Sequence, residues 1–276
     1  MKKVIIFTDL DGTLLDYSTY SFDEALPALR LLRERDIPLI ICSSKTAEEI
    51  KYYRKKLDNH HPFISENGGG IYIAKNYFKF KILNSKFKIT DENNYLVIRL
   101  GAVYADLRQT LKALRREGFT LKGFGDMTVY EVAEIGHMSI AEAGMAKERN
   151  FDEPFIFEGN QEEARRLFGA IKSRGFHCTK GMFFHVLGNT DKGKAVSILI
   201  DLYTRQFGEI TTVAIGDNYN DIPMIKEVDY PILVQGPDKT YAVSEDIANL
   251  RRIDGIGPAG WNIGIIELLK EIEDGY

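Results

Sequence analysis

The chain has 276 residues, of which 44% are hydrophobic and 28% are charged, and its 36 Lys and Arg against 40 Asp and Glu give a net charge of −4. This balance argues against a nonspecific nucleic-acid binder, which needs a large positive excess, and against attraction to an anionic membrane surface. No apolar run is long enough to cross a bilayer or to form a signal peptide. The two cysteines, Cys42 and Cys178, cannot form a disulfide framework. We therefore expect a cytoplasmic protein with no nucleic-acid or membrane partner.

The first seventy residues alternate between strand-like and helix-like patterns. Short apolar runs predict buried strands at 4–8 and 37–42. Apolar residues at helical spacing predict helices at 25–35 and 47–57. This alternation is typical of a parallel sheet covered by helices.

The middle of the chain has a different organisation. Strands are expected at 95–100, 120–123, 154–157 and 183–187, helices at 105–117 and 162–173, and a mostly helical stretch at 126–149. We predict an α+β unit at 84–187, inserted into a core formed by 1–83 and 188–276. The glycine-containing runs 68–70 and 188–190 are plausible crossing points between the two.

The strand and helix alternation returns after the inserted unit. We expect helices at 194–207, 221–228 and 263–272, and strands at 211–215 and 231–234. The predicted fold class is therefore α/β, with a Rossmann-like core, a mainly parallel sheet and an inserted α+β domain.

Two aspartates follow directly on the first predicted strand. Asp9 and Asp11 lie where open α/β sheets bind ligands, and Gly12 allows a turn on which both carboxylates face one small volume. Two carboxylates that lie so close together repel each other, and this repulsion favours a bound cation or a shared proton. The alternative is an Asx-type turn that only closes the strand.

A second acidic pair follows a later strand of the predicted core. Asp217 and Asp221 come after the strand at 211–215, so they can meet the first pair at one edge of the sheet. Converging carboxylates need positive charge, and Mg²⁺ with oxygen ligands fits such a site. The alternative is a helix N-cap formed by Asp217 or Asn220.

Two other segments can supply hydroxyls and positive charge. Residues 41–46 (ICSSKT) end the second strand with hydroxyl groups, and residues 190–194 (TDKGK) open a helix whose N–H groups and lysines suit phosphate. Each segment alone is an ordinary strand end or helix start. Together with the two acidic pairs, they form the four parts of a phosphoryl-transfer site.

These four segments resemble the motifs of a known family. Asp9-x-Asp11-Gly-Thr, Ser43, Lys192 and Gly216-Asp217-x-x-Asn220-Asp221 match, in order, the four motifs of the haloacid dehalogenase superfamily. The inserted unit resembles the C2-type cap of that superfamily. The segments 42–46, 65–70, 146–153 and 191–195 resemble, more narrowly, the mannosyl-3-phosphoglycerate phosphatases.

The resemblance implies a role for each core residue. Asp9 is the nucleophile that forms an aspartyl-phosphate, and Asp11 is the general acid and base. Mg²⁺ is held by Asp9, Asp217 and the backbone carbonyl of Asp11. Ser43 and Lys192 hold phosphoryl oxygens, and Asp221 orients Lys192.

The substrate contacts implied by the resemblance are less tightly specified. They are expected at Ser44, Lys45, Glu66, Asn67, Arg149, Lys180 and Asn220. Arg149 and Lys180 are the cap cations expected to bind an anionic group, and Glu66 and Asn67 are expected to bind sugar hydroxyls. For Arg149 and Lys180, the alternative is a solvated surface charge. For Glu66 and Asn67, it is a polar turn. Met182 stands where relatives carry an arginine, and Lys180 is a candidate substitute for its charge.

The resemblance implies a Mg²⁺-dependent phosphatase that acts on a small phosphorylated sugar-glycerate, foremost mannosyl-3-phosphoglycerate. One alternative is a sugar-phosphate phosphatase of different or broader specificity, including glucosyl-3-phosphoglycerate. Another is a binding or regulatory protein that kept the fold and lost turnover. The competent residue at every catalytic position argues against the last of these.

Overall fold

The computed structural model describes residues 2–82, 87–242 and 247–274, and these form a nine-stranded and a four-stranded sheet with helices packed on them. The first hundred residues form β1 (Lys3–Thr8), α1 (Leu26–Glu34), β2 (Leu39–Cys42), α2 (Ala47–Lys56), β3 (Phe63–Ser65), β4 (Gly70–Ala74), β5 (Lys88–Glu92) and β6 (Tyr95–Arg99). The middle forms α3 (Tyr104–Arg116), β7 (Leu121–Gly123), α4 (Val129–Ile135), α5 (Ile140–Ala146), β8 (Asp152–Phe157), α6 (Gln161–Lys172), β9 (His177–Lys180) and β10 (Phe184–Leu187). The last part forms α7 (Lys192–Phe207), β11 (Ile210–Gly216), α8 (Ile222–Ile225), β12 (Tyr230–Gln235), β13 (Arg251–Ile256) and α9 (Gly257–Asp274).

The large sheet has the order β13-β12-β11-β1-β2-β3-β4-β6-β5. Its strands are parallel from β13 to β3, and β4, β6 and β5 add an antiparallel extension. The centre is apolar on both faces: in β1, Ile6 belongs to one buried cluster, and Ile5 and Phe7 belong to another on the opposite face. The predicted α/β class with a mainly parallel sheet and a second, inserted unit is confirmed.

The sheet places three of the four motifs at one edge. β1 lies between β11 and β2, and all three run in the same direction. Their carboxyl ends therefore bring Asp9, Ser43 and Asp217 to the same side of the sheet. The topology follows from the alternating strand and helix pattern that the sequence shows.

One predicted strand belongs to a different sheet. The strand expected at 95–100 was assigned to the inserted unit, but it pairs as β6 with β4, with Tyr72 opposite Val97. A strand pattern does not reveal which strand is the partner, so the assignment was wrong. The predicted boundary at 83/84 lies outside the described residues, and we propose that the inserted unit, named the cap unit from here on, comprises residues 101–187.

The two chain crossings lie side by side. Leu100 and Gly101 both donate backbone hydrogen bonds of 2.9 Å to the carbonyl oxygen of Gly69. A Cβ on Gly188 would lie 2.6 Å from the nitrogen of Ala102, so the returning chain packs closely against the departing one. The run at 68–70, predicted as a crossing, instead turns β3 into β4.

The remaining differences concern element ends and strands that were not expected. The helix expected at 263–272 begins at Gly257 as α9, and no strand was expected where β4, β5, β9 and β13 lie. The helical stretch at 126–149 is divided into α4 and α5, because α4 ends at Gly136. Within the described residues, no helix is both long and apolar enough to cross a membrane.

Candidate active site

A buried lysine joins two aspartates at the centre of the site. The Nζ atom of Lys192, the first residue of α7, lies 2.6 Å from Oδ1 of Asp9 and 2.5 Å from Oδ1 of Asp221. The loop before α7 is fixed because Thr190 donates to the carbonyl oxygen of Gly68, at 2.9 Å. A Cβ on Gly68, whose φ is +92°, would lie only 2.1 Å from the carbonyl oxygen of Asp191, so only glycine fits there.

Three buried carboxylates surround this lysine. Ligand atoms of Asp9, Asp217 and Asp221 lie within 4.8 Å of one another. Asp221 is fully engaged, since its Oδ2 accepts the backbone N–H groups of Asp217 and Asn218 at 3.1 Å. The Oδ1 atom of Asp9 accepts from Lys192, and the Oδ1 atom of Asp217 accepts from Thr13. The Oδ2 atoms of both aspartates have no donor among the described residues.

The charges of this cluster favour a divalent cation. Three carboxylates and one ammonium leave two negative charges uncompensated in a buried volume. Burial raises the pKa of Asp9 to about 7, against the opposing effect of Lys192. Burial, together with the charges of Asp221 and Asp9, also raises the pKa of Asp217. A divalent cation held by Asp9 and Asp217 would offset this unfavourable burial of charge.

The turn after β1 lies directly against this cluster. Gly12 has a φ of +79°, and a Cβ at this position would lie 2.8 Å from Oδ2 of Asp217. Glycine at position 12 therefore keeps the space beside the free Asp217 oxygen open. The donor set and this open space both fit a small hard cation.

Asp11 is part of a separate ion pair. Its Oδ2 lies 3.0 Å from Nζ of Lys45, which is also 3.6 Å from Oε1 of Glu49. The Oδ1 atom of Asp11 is buried without a hydrogen-bond partner. Burial raises the pKa of Asp11 despite Lys45. Asp11 is therefore paired with Lys45 rather than with Lys192, and it lines the cavity beside Asp9.

A cavity above these residues is lined by both the core and the cap unit. Of the residues expected at the site, Asp9, Asp11, Ser44, Lys45, Asn67, Arg149, Asp217 and Asn220 line it. The cap unit contributes largely apolar side chains, including Phe124, Met138, Met182 and Phe183. Met182, at the position of the family arginine, does face this cavity and is 45% exposed.

Ser43 is fully buried beneath the cavity. Its Oγ accepts a hydrogen bond of 3.2 Å from the backbone nitrogen of Lys45. Thr46 is the N-cap residue of α2 and forms a capping box with Glu49. This cap fixes the loop that carries Ser43, Ser44 and Lys45.

Glu66 joins the core to the cap unit. Its carboxylate is fully buried, and its Oε2 accepts the backbone N–H groups of Asn150, Phe151 and Asp152 at 2.9, 2.7 and 2.9 Å. Burial and the charge of Asp152 raise the pKa of Glu66 to about 7. These bonds leave Glu66 engaged with protein rather than with a sugar hydroxyl, contrary to the sequence prediction. The sequence alone does not show that Glu66 is in contact with residues 84 or more positions further along the chain.

Arg149 is held by protein groups on several sides. It donates from Nη1 to the carbonyl oxygen of Ser44 and to Oδ1 of Asp152, and from Nε to the carbonyl oxygen of Ala146, each at 2.8 Å. Its Nη2 also lies 3.8 Å from Oε2 of Glu49. Arg149 thus lines the cavity but is already neutralised, which differs from the free substrate-binding cation that was expected.

Lys180 does not reach the cavity. Its side chain is exposed at the end of β9, and its ammonium lies 5.1 Å from the centre of the Phe184 ring. The prediction that Lys180 replaces the charge lost at Met182 therefore does not fit the structure. Residues i and i+2 of one strand point to the same face, but Lys180 is the last residue of β9 and Met182 lies in the turn before β10.

His185 is among the cavity residues that the sequence analysis did not predict. His185, in β10, lines the cavity and lies with Nδ1 3.1 Å from Oδ2 of Asp152. The same oxygen accepts a 3.1 Å hydrogen bond from Nδ2 of Asn67, whose Oδ1 accepts from Asn220 at 3.2 Å. The only signal in the sequence was a polar residue inside an apolar strand, and its partner lies on the adjacent strand β8.

Comparison with known proteins gives a consistent result. The family model for haloacid dehalogenase-like hydrolases matches residues 6–257. A glucosyl-3-phosphoglycerate/mannosyl-3-phosphoglycerate phosphatase of Methanococcoides burtonii is 44% identical over 269 residues, which cover 97% of each chain. A mannosyl-3-phosphoglycerate phosphatase of Pyrococcus horikoshii is 39% identical over 231 residues, which cover 83% of this chain and 90% of the relative. The sucrose-phosphatase of Synechocystis, solved with sucrose and phosphate, has a similar fold, with a TM-score of 0.60, 15% identity and 99% coverage of both chains.

Proposed function

Because the chain belongs to the haloacid dehalogenase-like hydrolase family, we propose that it is a Mg²⁺-dependent phosphatase that hydrolyses mannosyl-3-phosphoglycerate to mannosylglycerate and phosphate. The observation that carries this proposal is the buried arrangement in which Lys192 bridges Asp9 and Asp221 beside Asp217. Asp9 and Asp217 of this arrangement line a cavity that the cap unit covers, and the cap unit corresponds to the C2-type cap that the motifs suggested.

The core residues can perform hydrolysis in two steps. A carboxylate oxygen of Asp9 attacks phosphorus, the ester bond to the leaving oxygen breaks, and Asp11 gives that oxygen a proton. Asp11, now ionised, then takes a proton from a water molecule that attacks the aspartyl-phosphate. Phosphate leaves, and Asp9 is restored. Asp11 lines the cavity beside Asp9, which suits it to both proton transfers.

Positive charge next to Asp9 would stabilise the phosphoryl group. Lys192 is held in place by Asp221 and can bind a phosphoryl oxygen close to Asp9. Asp9 and Asp217, with the backbone carbonyl of Asp11, would hold Mg²⁺, which supplies further charge to the phosphoryl oxygens when bound. Ser43 is the proposed hydroxyl donor from the second motif.

The substrate proposal rests on the relatives and on the cavity. Two relatives that match most of the chain carry mannosyl-3-phosphoglycerate in their names, and the one from Methanococcoides burtonii is also named for glucosyl-3-phosphoglycerate. Glucosyl-3-phosphoglycerate is therefore a second candidate substrate. Ser44, Lys45, Asn67 and Asn220 line the cavity and are the polar groups proposed to contact the organic part.

We place the enzyme in the cytoplasm. Cys42 and Cys178 are both unpaired, and Cys42 is buried beside the site. Burial raises the pKa of the Cys178 thiol to about 12, which keeps it in the unreactive thiol form. Unpaired cysteines are typical of a reducing compartment.

Magnesium binding is expected to weaken as the pH falls from 8 to 6. The free carboxylate must bind the ion, and the raised pKa of Asp9, about 7, means that protons compete with Mg²⁺ below that pH. The dissociation constant measured by isothermal titration should rise about tenfold for one such carboxylate. Mg²⁺ at 100 times its dissociation constant should stabilise the fold by about 2.7 kcal/mol.

Two aspartate variants test this expectation. Asp217→Asn should lose most of the stabilisation by Mg²⁺, whereas Asp201→Asn, on the exposed side of α7, should keep it. An equal Mg²⁺ affinity at pH 6 and pH 8 would contradict the proposed ligands.

The substrate is tested by comparing phosphate esters with the purified chain and Mg²⁺. We expect kcat/KM for mannosyl-3-phosphoglycerate or glucosyl-3-phosphoglycerate to exceed that for glucose 6-phosphate and p-nitrophenyl phosphate by at least tenfold, or about 1.4 kcal/mol. A higher kcat/KM for a simple sugar phosphate would contradict the proposed substrate and identify that ester as the better candidate. Absence of phosphate release from every ester would exclude a phosphatase.

A further inference from the structure

The cap unit presents one ordered polar pair to the cavity that the catalytic steps do not use. His185 is buried and belongs to β10, and its Nδ1 lies 3.1 Å from Oδ2 of Asp152 on the neighbouring strand. Asp152 is fully buried, and Arg149 and Asn67 hold its carboxylate. Arg149 is the chief cause that lowers the pKa of Asp152, against the effect of burial. The carboxylate thus remains charged and fixes the imidazole.

The pairing determines which ring atom faces the cavity. Asp152 as a carboxylate accepts, so Nδ1 of His185 carries the hydrogen. His185 lines the cavity, whereas Asp152 does not. The ring edge opposite Nδ1, which carries Nε2, is therefore the edge turned towards the cavity. Among the described residues, none donates to or accepts from Nε2. With Nδ1 carrying the single ring hydrogen, Nε2 is a hydrogen-bond acceptor.

The cap unit's wall of the cavity offers few other polar side chains to a substrate. The cations that line it, Lys45 and Arg149, are already paired with carboxylates. The rest of the cap unit's wall is largely apolar, with Phe124, Met138 and Met182. A phosphate bound at Asp9 directs its organic group towards this wall. Among the described residues of the cap unit that line the cavity, Arg149, Thr179 and His185 are the ones with polar side chains.

We propose that His185, fixed by Asp152, is a substrate-recognition residue whose Nε2 accepts a hydrogen bond from a hydroxyl of the substrate's sugar. The inference rests on the proposed function, since it assumes a glycosylated phosphate ester. It assigns the pair a role in affinity for the organic part and none in the chemistry at phosphorus.

Two substitutions separate contact with the sugar from contact with Asp152. The amide of His185→Asn reaches only the position of Nδ1, so it can bind Asp152 but not the sugar. The longer His185→Gln places an amide oxygen near the position of Nε2, so it can accept from the sugar. The control is His177→Gln, on the adjacent strand β9, where the side chain is exposed and does not line this cavity.

Steady-state kinetics with mannosyl-3-phosphoglycerate and with p-nitrophenyl phosphate provides the readout. For the sugar ester, we expect KM to rise at least tenfold in His185→Asn, and at most threefold in His185→Gln and His177→Gln. For p-nitrophenyl phosphate, which has no hydroxyl to donate, all variants should stay within twofold of the wild type.

Three results would overturn the inference. These are an unchanged KM for the sugar ester in His185→Asn, a parallel loss on both esters, and rescue by asparagine instead of glutamine. Either of the last two results would indicate that His185 and Asp152 stabilise the fold and do not bind the sugar. A wild-type enzyme that cleaves p-nitrophenyl phosphate but neither glycosyl-phosphoglycerate contradicts the proposed substrate, and the same variants then decide the inference on the sugar phosphate that the enzyme prefers.

Discussion

Replacing Asp9 by asparagine is expected to lower kcat on every phosphate ester by about 10⁴-fold or more. The amide is a poor nucleophile and cannot form the aspartyl-phosphate, so the two-step route is lost. The measurement is Mg²⁺-dependent release of phosphate from p-nitrophenyl phosphate, which makes few demands on the cap unit. Asp201→Asn, an exposed aspartate changed in the same way, should retain full activity.

The Asp9→Asn variant is expected to fold as well as the wild type. Burial raises the pKa of Asp9 to about 7 even though Lys192 lowers it, so the ionised carboxylate is destabilising above that pH when no cation is bound. A neutral amide removes that penalty, and Lys192 keeps its pairing with Asp221. At pH 8 and without Mg²⁺, the thermal midpoint should equal or exceed that of the wild type. A retained activity above about 1%, or a collapse of the fold, would contradict the role assigned to Asp9.

The core of the site could be predicted because its geometry follows from local rules. Asp9, Ser43 and Asp217 each follow a buried strand, and parallel strands that neighbour one another end at one edge of the sheet. Their convergence therefore needs only the order of strand and helix. Lys192 is the first residue of α7, and its long side chain reaches Asp9 and Asp221 from there.

The contacts of the cap unit could not be predicted in the same way. Glu66 meets residues 150–152, and Arg149 meets Ser44, across about a hundred residues of chain whose packing no local pattern encodes. Polar residues at such places look like surface residues in the sequence. The same reason explains β6: its apolar alternation indicates a strand, but only the three-dimensional fold decides that its partner is β4.

The contacts between the cap unit and the core form a buried ionic network. Arg149 neutralises Asp152 and approaches Glu49, and Glu49 in turn lies near Lys45, the partner of Asp11. The side chains of Arg149 and Asp152 are 5% and 0% exposed, so water contributes little to their solvation. In such surroundings, removal of one partner leaves an uncompensated buried charge.

Replacing Arg149 by methionine is therefore expected to reduce the free energy of unfolding by about 3–5 kcal/mol. Methionine fills much of the volume, but the carboxylate of Asp152 and the carbonyl oxygen of Ser44 each lose a donor. Urea denaturation at pH 7 with Mg²⁺ present measures the loss. Arg149→Lys should lose less, because it keeps the charge but cannot donate from Nε and Nη1 together.

The exposed Lys180 provides the matched control for this substitution. Lys180→Met removes a cation from the same cap unit, but its ammonium lies over the Phe184 ring in contact with solvent, so stability should change by about 0.5 kcal/mol or less. The two roles considered for Arg149 then give opposite results. A cation that binds substrate predicts a raised KM with nearly unchanged unfolding in Arg149→Met. A cation that joins the cap unit to the core predicts a large loss of stability, and the loss should also affect p-nitrophenyl phosphate, because the wall that covers the cavity is no longer held.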